Sequence, residues 1–181
     1  MKKSSQIDGW FDFKDTYHFL LSQIPDSGIF VECGAWLGKS SSYLCDIAKN
    51  TQNIFIVDTW QGSLDPKDPT HITAQDTNNI FEIFLDNMGD RKFIPIKKLS
   101  TEASKDFKDN SCDVIFIDMT HTYEQVKQDI NVWLPKVKIG GYIAGHDYQK
   151  DWPDVIRAVN EIFGSDNLLL MDTCWIYHKN E

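Results

Sequence analysis

The sequence predicts an α/β fold, a three-layer sandwich in which helices cover both faces of a mainly parallel β-sheet. Short apolar segments alternate with amphipathic helical segments about five times along the chain. Two further strand candidates follow at the C-terminal end, which gives a seven-stranded sheet with an antiparallel C-terminal strand. Polar residues follow directly after several of the apolar segments, at the edge where parallel α/β sheets bind their ligands.

The first elements form a helix and then a strand–helix–strand unit. Residues 11–24 place apolar side chains at helical spacing, and Pro25 ends that helix. Residues 28–33 are a short apolar run typical of a buried strand, and residues 40–49 carry one apolar helical face. Residues 53–57 form the second strand, and the short links predict a parallel crossover unit.

The central part of the chain interrupts this alternation. Residues 61–78 contain two prolines and few large apolar side chains, so we expect a loop that lies over a site as a lid and helps to select the substrate. Residues 79–88 are helical by their apolar spacing, and residues 93–97 predict a third strand. Ser100 is a suitable cap for a short helix over residues 100–107.

The C-terminal part resumes the alternation. Residues 112–117 are the most apolar strand, and residues 121–134 repeat apolar residues at three- and four-residue steps. A strand over residues 142–144 and a helix over residues 153–164 follow, the latter opening with a proline. The last predicted strands are 168–171 and 174–177.

The length and charge of the chain limit its function. Its 181 residues predict one domain over 1–181 that begins with a helical segment at 1–25. A net charge of −9 argues against nucleic acid and against an anionic membrane surface as partners. The N-terminus does not resemble a signal peptide, and the cysteines are widely spaced, as in reduced proteins, so we expect a cytoplasmic protein.

Residues 30–40, FVECGAWLGKS, are the most informative segment. A strand ends in Glu32, Gly34 and Gly38 follow, and Ser40 opens a helix. Glycines allow close approach of the backbone to a ligand, and a helix start offers free N–H groups, so this segment suits a nucleoside. The spacing E-x-G-x-x-x-G differs from the G-x-G-x-x-G of dinucleotide sites, and an acid beside the turn suits a ligand that combines an amino acid with a ribose.

Other polar residues also stand at the predicted C-terminal ends of strands. Asp58 ends the second strand, where its carboxylate could accept hydrogen bonds from both ribose hydroxyls, although a capping or solvated aspartate is the alternative. Trp60 is close enough to Asp58 to contact a base. Ser100, Asp118 and Asp147 occupy equivalent positions after later strands.

A reactive centre is indicated by acidic and imidazole side chains that follow two predicted strands: Asp118, His121, His146 and Asp147. If strands 112–117 and 142–144 are neighbours, Asp118 and Asp147 lie roughly 5 Å apart, a separation that suits an oxygen-preferring ion such as Mg²⁺. The alternative is that one carboxylate binds substrate directly without a metal. His121 lies three residues after Asp118 and is suited to remove a proton near neutral pH.

These segments resemble the class I S-adenosylmethionine-dependent methyltransferases. VECGAWLGKSS matches their first motif, and IFIVDTW matches the acidic end of their second strand. The segment DVIFIDMTHTYEQVKQDINVWLPKVKIGGYIAGHDY is similar to the macrocin-type O-methyltransferases and cephalosporin-hydroxylase-like proteins. The resemblance covers nearly the whole chain and implies a Rossmann-like fold.

The resemblance implies roles for individual residues. The methionine part of S-adenosylmethionine would lie at Glu32, Gly34 and Gly38, and the adenine beside the Leu99–Ser100 turn. The implied cofactor-binding set is Glu32, Gly34, Gly38, Ser40, Asp58, Thr59, Trp60, Ser100 and Asp118. His121 would be the general base, assisted by Asp118, and Mg²⁺ would be held by Asp118, Asp147 and His146. His146 departs from the family pattern, because some metal-dependent relatives carry an acid there.

The implied function is methylation of a hydroxyl group of a small molecule or sugar, with Mg²⁺ assisting. The alternatives are a metal-independent N- or O-methyltransferase, an NAD-binding oxidoreductase, and a nucleoside-binding module without catalysis. The sequence names neither the acceptor nor the oligomeric state, and a homo-oligomer is compatible with a domain of this size.

Overall fold

The computed structural model describes residues 1–63 and 79–180. Residues 64–78, and with them most of the predicted lid at 61–78, lie outside the described residues. The strands are β1 Ile29–Cys33, β2 Asn53–Asp58, β3 Ile94–Lys97, β4 Cys112–Ile117, β5 Val137–Gly145, β6 Leu168–Met171 and β7 Cys174–His178. The α-helices are α1 Lys14–Ser22, α2 Lys39–Ile47, α3 Ile80–Met88, α4 Ser100–Ala103, α5 Tyr123–Trp133 and α6 Pro153–Phe163. Short 3₁₀ turns cover Ser4–Gln6, Ser104–Asp106, Leu134–Lys136 and Ser165–Asn167.

The seven strands form one sheet in the order β3-β2-β1-β4-β5-β7-β6. Neighbouring strands from β3 to β5 are parallel, and β7 is antiparallel to both β5 and β6. The predicted fold class, including the antiparallel C-terminal strand, is confirmed. The strand order reverses between β1 and β4, which is the point where open α/β sheets bind ligands.

Helices cover both faces of this sheet because the central strands are apolar on both sides. In β1, Phe30 packs on the face that carries α1, α2 and α3, while Val31 and Cys33 pack on the face that carries α4, α5 and α6. All three side chains are fully buried. The strand ends of this rigid centre therefore hold fixed positions.

Two elements differ from their predicted bounds. β5 begins at Val137, not at residue 142, and its register against β4 shifts between Cys112 and Val114. The glycines at 140 and 141 hid the first half of the strand from sequence analysis, because glycine is uncommon in strands. Gly141 is needed there because β5 lies close to β4, and an added Cβ would be 2.7 Å from the Asp113 carbonyl oxygen. α5 begins at Tyr123, so His121 stands in the loop before the helix.

The described residues contain no helix with the length and apolar character needed to cross a bilayer. The four cysteines are free thiols, and Cys33, Cys112 and Cys174 are buried, as expected from their apolar sequence neighbours.

Candidate active site

A cavity of about 990 Å³ opens at the C-terminal ends of β1, β2, β4 and β5. Register brings these ends together: Cys33 pairs with Ile117, and Ile117 pairs with Gly145, so the residues that follow each strand emerge side by side. Among the described residues, all those predicted for the site line this cavity except Glu32, Gly38 and Trp60.

Gly34 brings the turn after β1 against the end of β4. Its φ is +94°, and an added Cβ would lie 1.7 Å from the carbonyl oxygen of Asp118. The Gly34 N–H donates to the Val57 carbonyl at 2.8 Å, and the Asp118 N–H donates to the Cys33 carbonyl at 2.8 Å. Only a residue without a side chain allows this approach.

Asp58 shapes the same turn with its carboxylate. Oδ2 accepts the N–H groups of Ala35 and Trp36 at 2.8 and 2.9 Å, and Oδ1 accepts the N–H of Trp60 at 2.7 Å. Asp58 also lines the cavity, and Oδ1 can accept a further hydrogen bond. It therefore holds the β1–α2 turn in place in addition to facing the predicted ribose position.

Trp60 does not reach the cavity. Its side chain is 2% exposed and packs on Phe81 and Phe84, with ring centroids 4.5 and 4.8 Å apart. Because the indole packs on these aromatic residues of α3, Trp60 lies in the core and not in the predicted position beside the base. Gly38 has a packing reason as well, because an added Cβ would lie 2.9 Å from the Phe84 ring.

Glu32 is buried beneath the turn and does not line the cavity. Oε1 accepts the hydroxyls of Tyr17 and Ser40 at 2.6 and 2.7 Å, and Oε2 accepts the Ser41 hydroxyl at 2.5 Å. Burial raises the pKa of Glu32 to about 7, although the three hydroxyls oppose this shift. Glu32 thus ties β1 to α1 and α2, and its contact with a ligand would be indirect.

Replacing Glu32 with glutamine is expected to change the pH dependence of stability. The folded pKa lies above the unfolded value, so the unfolded state loses its proton first and wild-type stability falls as the pH rises from about 4.5 to about 7. Urea unfolding at pH 5 and pH 8 should show the wild type losing on the order of 3 kcal/mol relative to Glu32→Gln. Parallel pH dependence in both proteins would contradict the raised pKa.

Asp118, His121 and Asp147 form a compact cluster. One donor atom from each lies within 4.8 Å of the others, a separation that could hold a metal ion. His121 Nε2 lies 2.7 Å from Asp147 Oδ2. The His121 ring also stacks on Trp152, with centroids 4.0 Å apart and an interplanar angle of 26°, which fixes the plane of the imidazole.

His146 lies among three carboxylates. Its Nδ1 is 3.1 Å from Asp147 and 3.4 Å from Asp118, and its Nε2 is 3.0 Å from Asp12. Burial lowers the pKa of His146, but the charges and hydrogen bonds of Asp118 and Asp147 outweigh it and raise the pKa well above its ordinary value. The structure therefore groups His121, and not His146, with the two carboxylates as a donor set.

Asp147 is held in its ionised form. Burial opposes ionisation, but hydrogen bonds from His121 and His146 keep the pKa of Asp147 well below its usual range. Its backbone φ is +60°, and its Oδ2 lies 2.7 Å from His121 Nε2 and 3.1 Å from His146 Nδ1. An ionised carboxylate in this position can orient His121 and stabilise its protonated form.

Sequence patterns did not reveal every residue of the cavity. Asp12 lines it, and so does Asp129 on α5. Asp12 precedes α1 and joins His146 and Thr173 only through tertiary folding. Asp129 had one signal: it is a charged residue on the apolar face of an amphipathic helix.

Comparison with known proteins identifies a family. The profile of a family described as "Methyltransferase domain" matches residues 31–148. An uncharacterised protein of Acanthamoeba polyphaga mimivirus is 31% identical over 143 residues, 76% of this chain and 60% of that protein. An uncharacterised protein of Sinorhizobium fredii is 29% identical over 65% of this chain and 13% of its own length. The chain thus spans less than two thirds of either relative.

Solved structures share the fold at low sequence identity. The O-methyltransferase NovP has a TM-score of 0.67 and 17% identity, covering 93% of this chain and 79% of its own. The calicheamicin methyltransferase CalS11 has a TM-score of 0.65 and 14% identity, covering 93% and 77%. An rRNA methylase from Streptococcus thermophilus has a TM-score of 0.60 and 13% identity, covering 92% and 95%.

Proposed function

Since the chain belongs to the family of methyltransferase domains, we propose that it transfers the methyl group of S-adenosylmethionine to a hydroxyl group of a small molecule or sugar. The resemblance seen in the sequence is confirmed at the level of this family. The observation that supports the finer proposal is the His121–Asp147 pair, 2.7 Å apart, which lines the same cavity as Gly34 of the glycine turn.

The cavity fits S-adenosylmethionine. At Gly34 the wall is bare backbone, and Asp58 retains acceptor capacity on Oδ1 for a ribose hydroxyl. Ser40 and Thr59 line the cavity beside these residues, and Ser100 lines it from α4. When bound, the cofactor supplies an electrophilic methyl group on its sulfonium.

The residues of the chain supply positioning and proton removal. The acceptor hydroxyl would lie beside His121, which takes its proton, and the negative charge of Asp147 stabilises the resulting imidazolium. The hydroxyl oxygen then forms a bond to the methyl carbon as the carbon–sulfur bond breaks, releasing S-adenosylhomocysteine. Holding both reactants in one cavity contributes much of the rate.

The donor set also fits a divalent cation. Asp118 and Asp147 would hold Mg²⁺, which prefers carboxylate oxygens, and would thereby lower the pKa of a bound hydroxyl. His146 Nδ1 lies 3.4 Å from Asp118 and 3.1 Å from Asp147, so a metal would compete with His146 for the same carboxylates. This competition is the specific observation that favours metal-independent methylation as the second candidate.

Chelation should distinguish these two candidates. With Mg²⁺ assistance, EDTA is expected to lower turnover at least about tenfold, and added Mg²⁺ should restore it, because the metal stabilises the alkoxide. Binding of S-adenosylhomocysteine should be unchanged by EDTA, which serves as the control. Full turnover in EDTA would support the metal-independent candidate.

The overall proposal is tested by calorimetric titration with S-adenosylhomocysteine, followed by a panel of hydroxyl acceptors. One-to-one binding that weakens in Asp58→Ala, together with methyl transfer to an acceptor, would support it. Binding without transfer to any acceptor would instead indicate a binding module. The similarity to an rRNA methylase concerns the fold, and the net charge of −9 favours small acceptors over RNA.

A further inference from the structure

Trp10 is an exposed tryptophan in the wall of the cavity. Of the six tryptophans in the chain, the other members are buried or half-buried, whereas Trp10 is 59% exposed. Its indole lines the cavity, yet it stacks on no ring and its Nε1 donates to no acceptor among the residues that the structure describes. A large apolar ring that the protein itself does not cover is available to a ligand.

The backbone on both sides of Trp10 is held in place. Lys39 Nζ donates to the Gly9 carbonyl at 2.7 Å, which ties the residue before Trp10 to the start of α2. The Phe11 ring packs on the Tyr43 ring of α2, with centroids 5.0 Å apart, and so anchors the residue after it. The exposed indole is therefore carried by a fixed backbone.

Trp10 lies close to the proposed centre of methyl transfer. Asp12 Oδ1 is 3.0 Å from His146 Nε2, and His146 Nδ1 is 3.1 Å from Asp147. Two residues of extended chain span at most about 7 Å, so the backbone of Trp10 is within that distance of the backbone of Asp12. A molecule that contacts the indole is thus within reach of the side chains around Asp147.

The chemistry around Trp10 limits what such a molecule can be. An indole has a flat apolar face with a negative quadrupole, so it stacks on flat rings and attracts cations. Asp8 and Asp12 precede and follow Trp10 by two residues and also line the cavity. Their negative charges repel a phosphate group and tolerate a neutral or cationic ligand.

We propose that Trp10 recognises the methyl acceptor, because its indole stacks on a six-membered ring that carries the reacting hydroxyl and no phosphate. A sugar and an aromatic ring share this chemistry. The inference rests on the proposed function and narrows it, since it specifies the class of acceptor. It assigns acceptor recognition to a residue outside the proposed cofactor contacts and outside the His121–Asp147 pair.

Fluorine NMR of protein labelled with fluorotryptophan tests the contact in the presence of saturating S-adenosylhomocysteine. The Trp10 resonance is the one that disappears in Trp10→Phe. The ring-bearing probes are methyl glucoside and catechol, and glycerol is the acyclic control. We expect a ring-bearing probe to shift the Trp10 resonance saturably and glycerol to leave it unchanged, because only a ring offers a flat face for stacking. A shift by methyl glucoside indicates a sugar acceptor, and a shift by catechol an aromatic one.

Phosphorylated probes test the charge of the acceptor. Glucose 6-phosphate and phenyl phosphate carry the same kinds of ring together with a phosphate. Each is expected to bind at least about threefold more weakly than its uncharged counterpart, because like charges in contact disfavour binding. Equal or tighter binding of the phosphorylated probe would refute the assignment of a phosphate-free acceptor.

Removal of the indole should weaken acceptor binding and leave cofactor binding unchanged. In Trp10→Ala the Kd of the ring-bearing probe, measured by ligand-observed NMR, is expected to rise roughly tenfold or more through lost stacking and burial. Trp10→Phe keeps a flat ring and should stay within about threefold of the wild type. Calorimetry should give the wild-type Kd of S-adenosylhomocysteine for both variants, which also shows that they are folded.

Leu170→Ala is the matched control for loss of an exposed apolar side chain. Leu170 is 54% exposed, lies on β6 and does not line the cavity. This variant should keep the wild-type Kd values of the ring-bearing probe and of S-adenosylhomocysteine.

Each outcome decides the question. If S-adenosylhomocysteine binds but neither ring-bearing probe shifts the Trp10 resonance, or glycerol shifts it equally, the inference is overturned while the proposed function stands. A ring-bearing probe that binds Trp10→Ala as tightly as the wild type also overturns it. If wild-type protein does not bind S-adenosylhomocysteine, the proposed function itself fails, and the inference fails with it.

Discussion

Replacing Gly34 with alanine is expected to abolish detectable binding of S-adenosylhomocysteine and to lower the free energy of unfolding by roughly 3 kcal/mol or more. Two effects combine. The φ of +94° disfavours any side chain, and the new Cβ would lie 1.7 Å from the Asp118 carbonyl oxygen. Because that oxygen belongs to the backbone directly after β4, which the Asp118 N–H ties to the Cys33 carbonyl, it cannot rotate away as a side chain could. Relief would require the β1–α2 turn to move away from the site.

Gly140→Ala separates these two effects. Gly140 also has a positive φ, +82°, but nothing lies within 4 Å of an added Cβ. This variant should lose only about 1 kcal/mol, through backbone strain, and should bind S-adenosylhomocysteine as the wild type does. Calorimetry and urea unfolding measure both quantities. Equal losses in the two variants would show that the close approach to Asp118 is unimportant.

Replacing His121 with alanine is expected to lower turnover by roughly 10²- to 10⁴-fold, the range for loss of a general base. His121 is 2.7 Å from Asp147 and stacked on Trp152, so its orientation is fixed. The Kd of S-adenosylhomocysteine should change little, because the proposed cofactor contacts lie at the glycine turn and at Asp58. Single-turnover kinetics with a methyl acceptor would measure the chemical step separately from binding.

His178→Ala is the control for the general effect of losing a histidine. His178 is exposed, lies on β7 and contacts the Gly140 carbonyl at 3.2 Å, away from the cavity lining. It should keep wild-type turnover. If His121→Ala instead lost cofactor affinity in proportion to turnover, His121 would be a binding residue and the proposed base would have to be sought elsewhere.

The fold was largely predictable because its signals are local. Apolar spacing marks a helix or strand wherever it occurs, and the positions of β4 and α6 agree with the predicted segments. β5 was underestimated because Gly140 and Gly141 weaken the strand signal while the register with β4 carries the strand through them. That register is a property of two segments, and no single segment encodes it.

The candidate site was predictable as a set of positions. Residues that follow parallel strands must share one edge of the sheet, so Gly34, Asp58, Asp118 and Asp147 could be grouped without coordinates. The hydrogen-bond partners of these site residues could not be predicted in the same way. Asp58 accepts backbone N–H groups of the turn, and Glu32 is enclosed by three hydroxyls.

The sequence by itself determined the layered α/β fold, the glycine turn and the edge of the sheet that carries the polar residues. Only the tertiary structure decided that Trp60 is enclosed by α3, that His121 faces Asp147, and that Asp129 of α5 is buried beside the cavity. The reason is physical: periodicity states which side of an element is buried, whereas hydrogen-bond and stacking partners depend on distances between segments that only packing brings together.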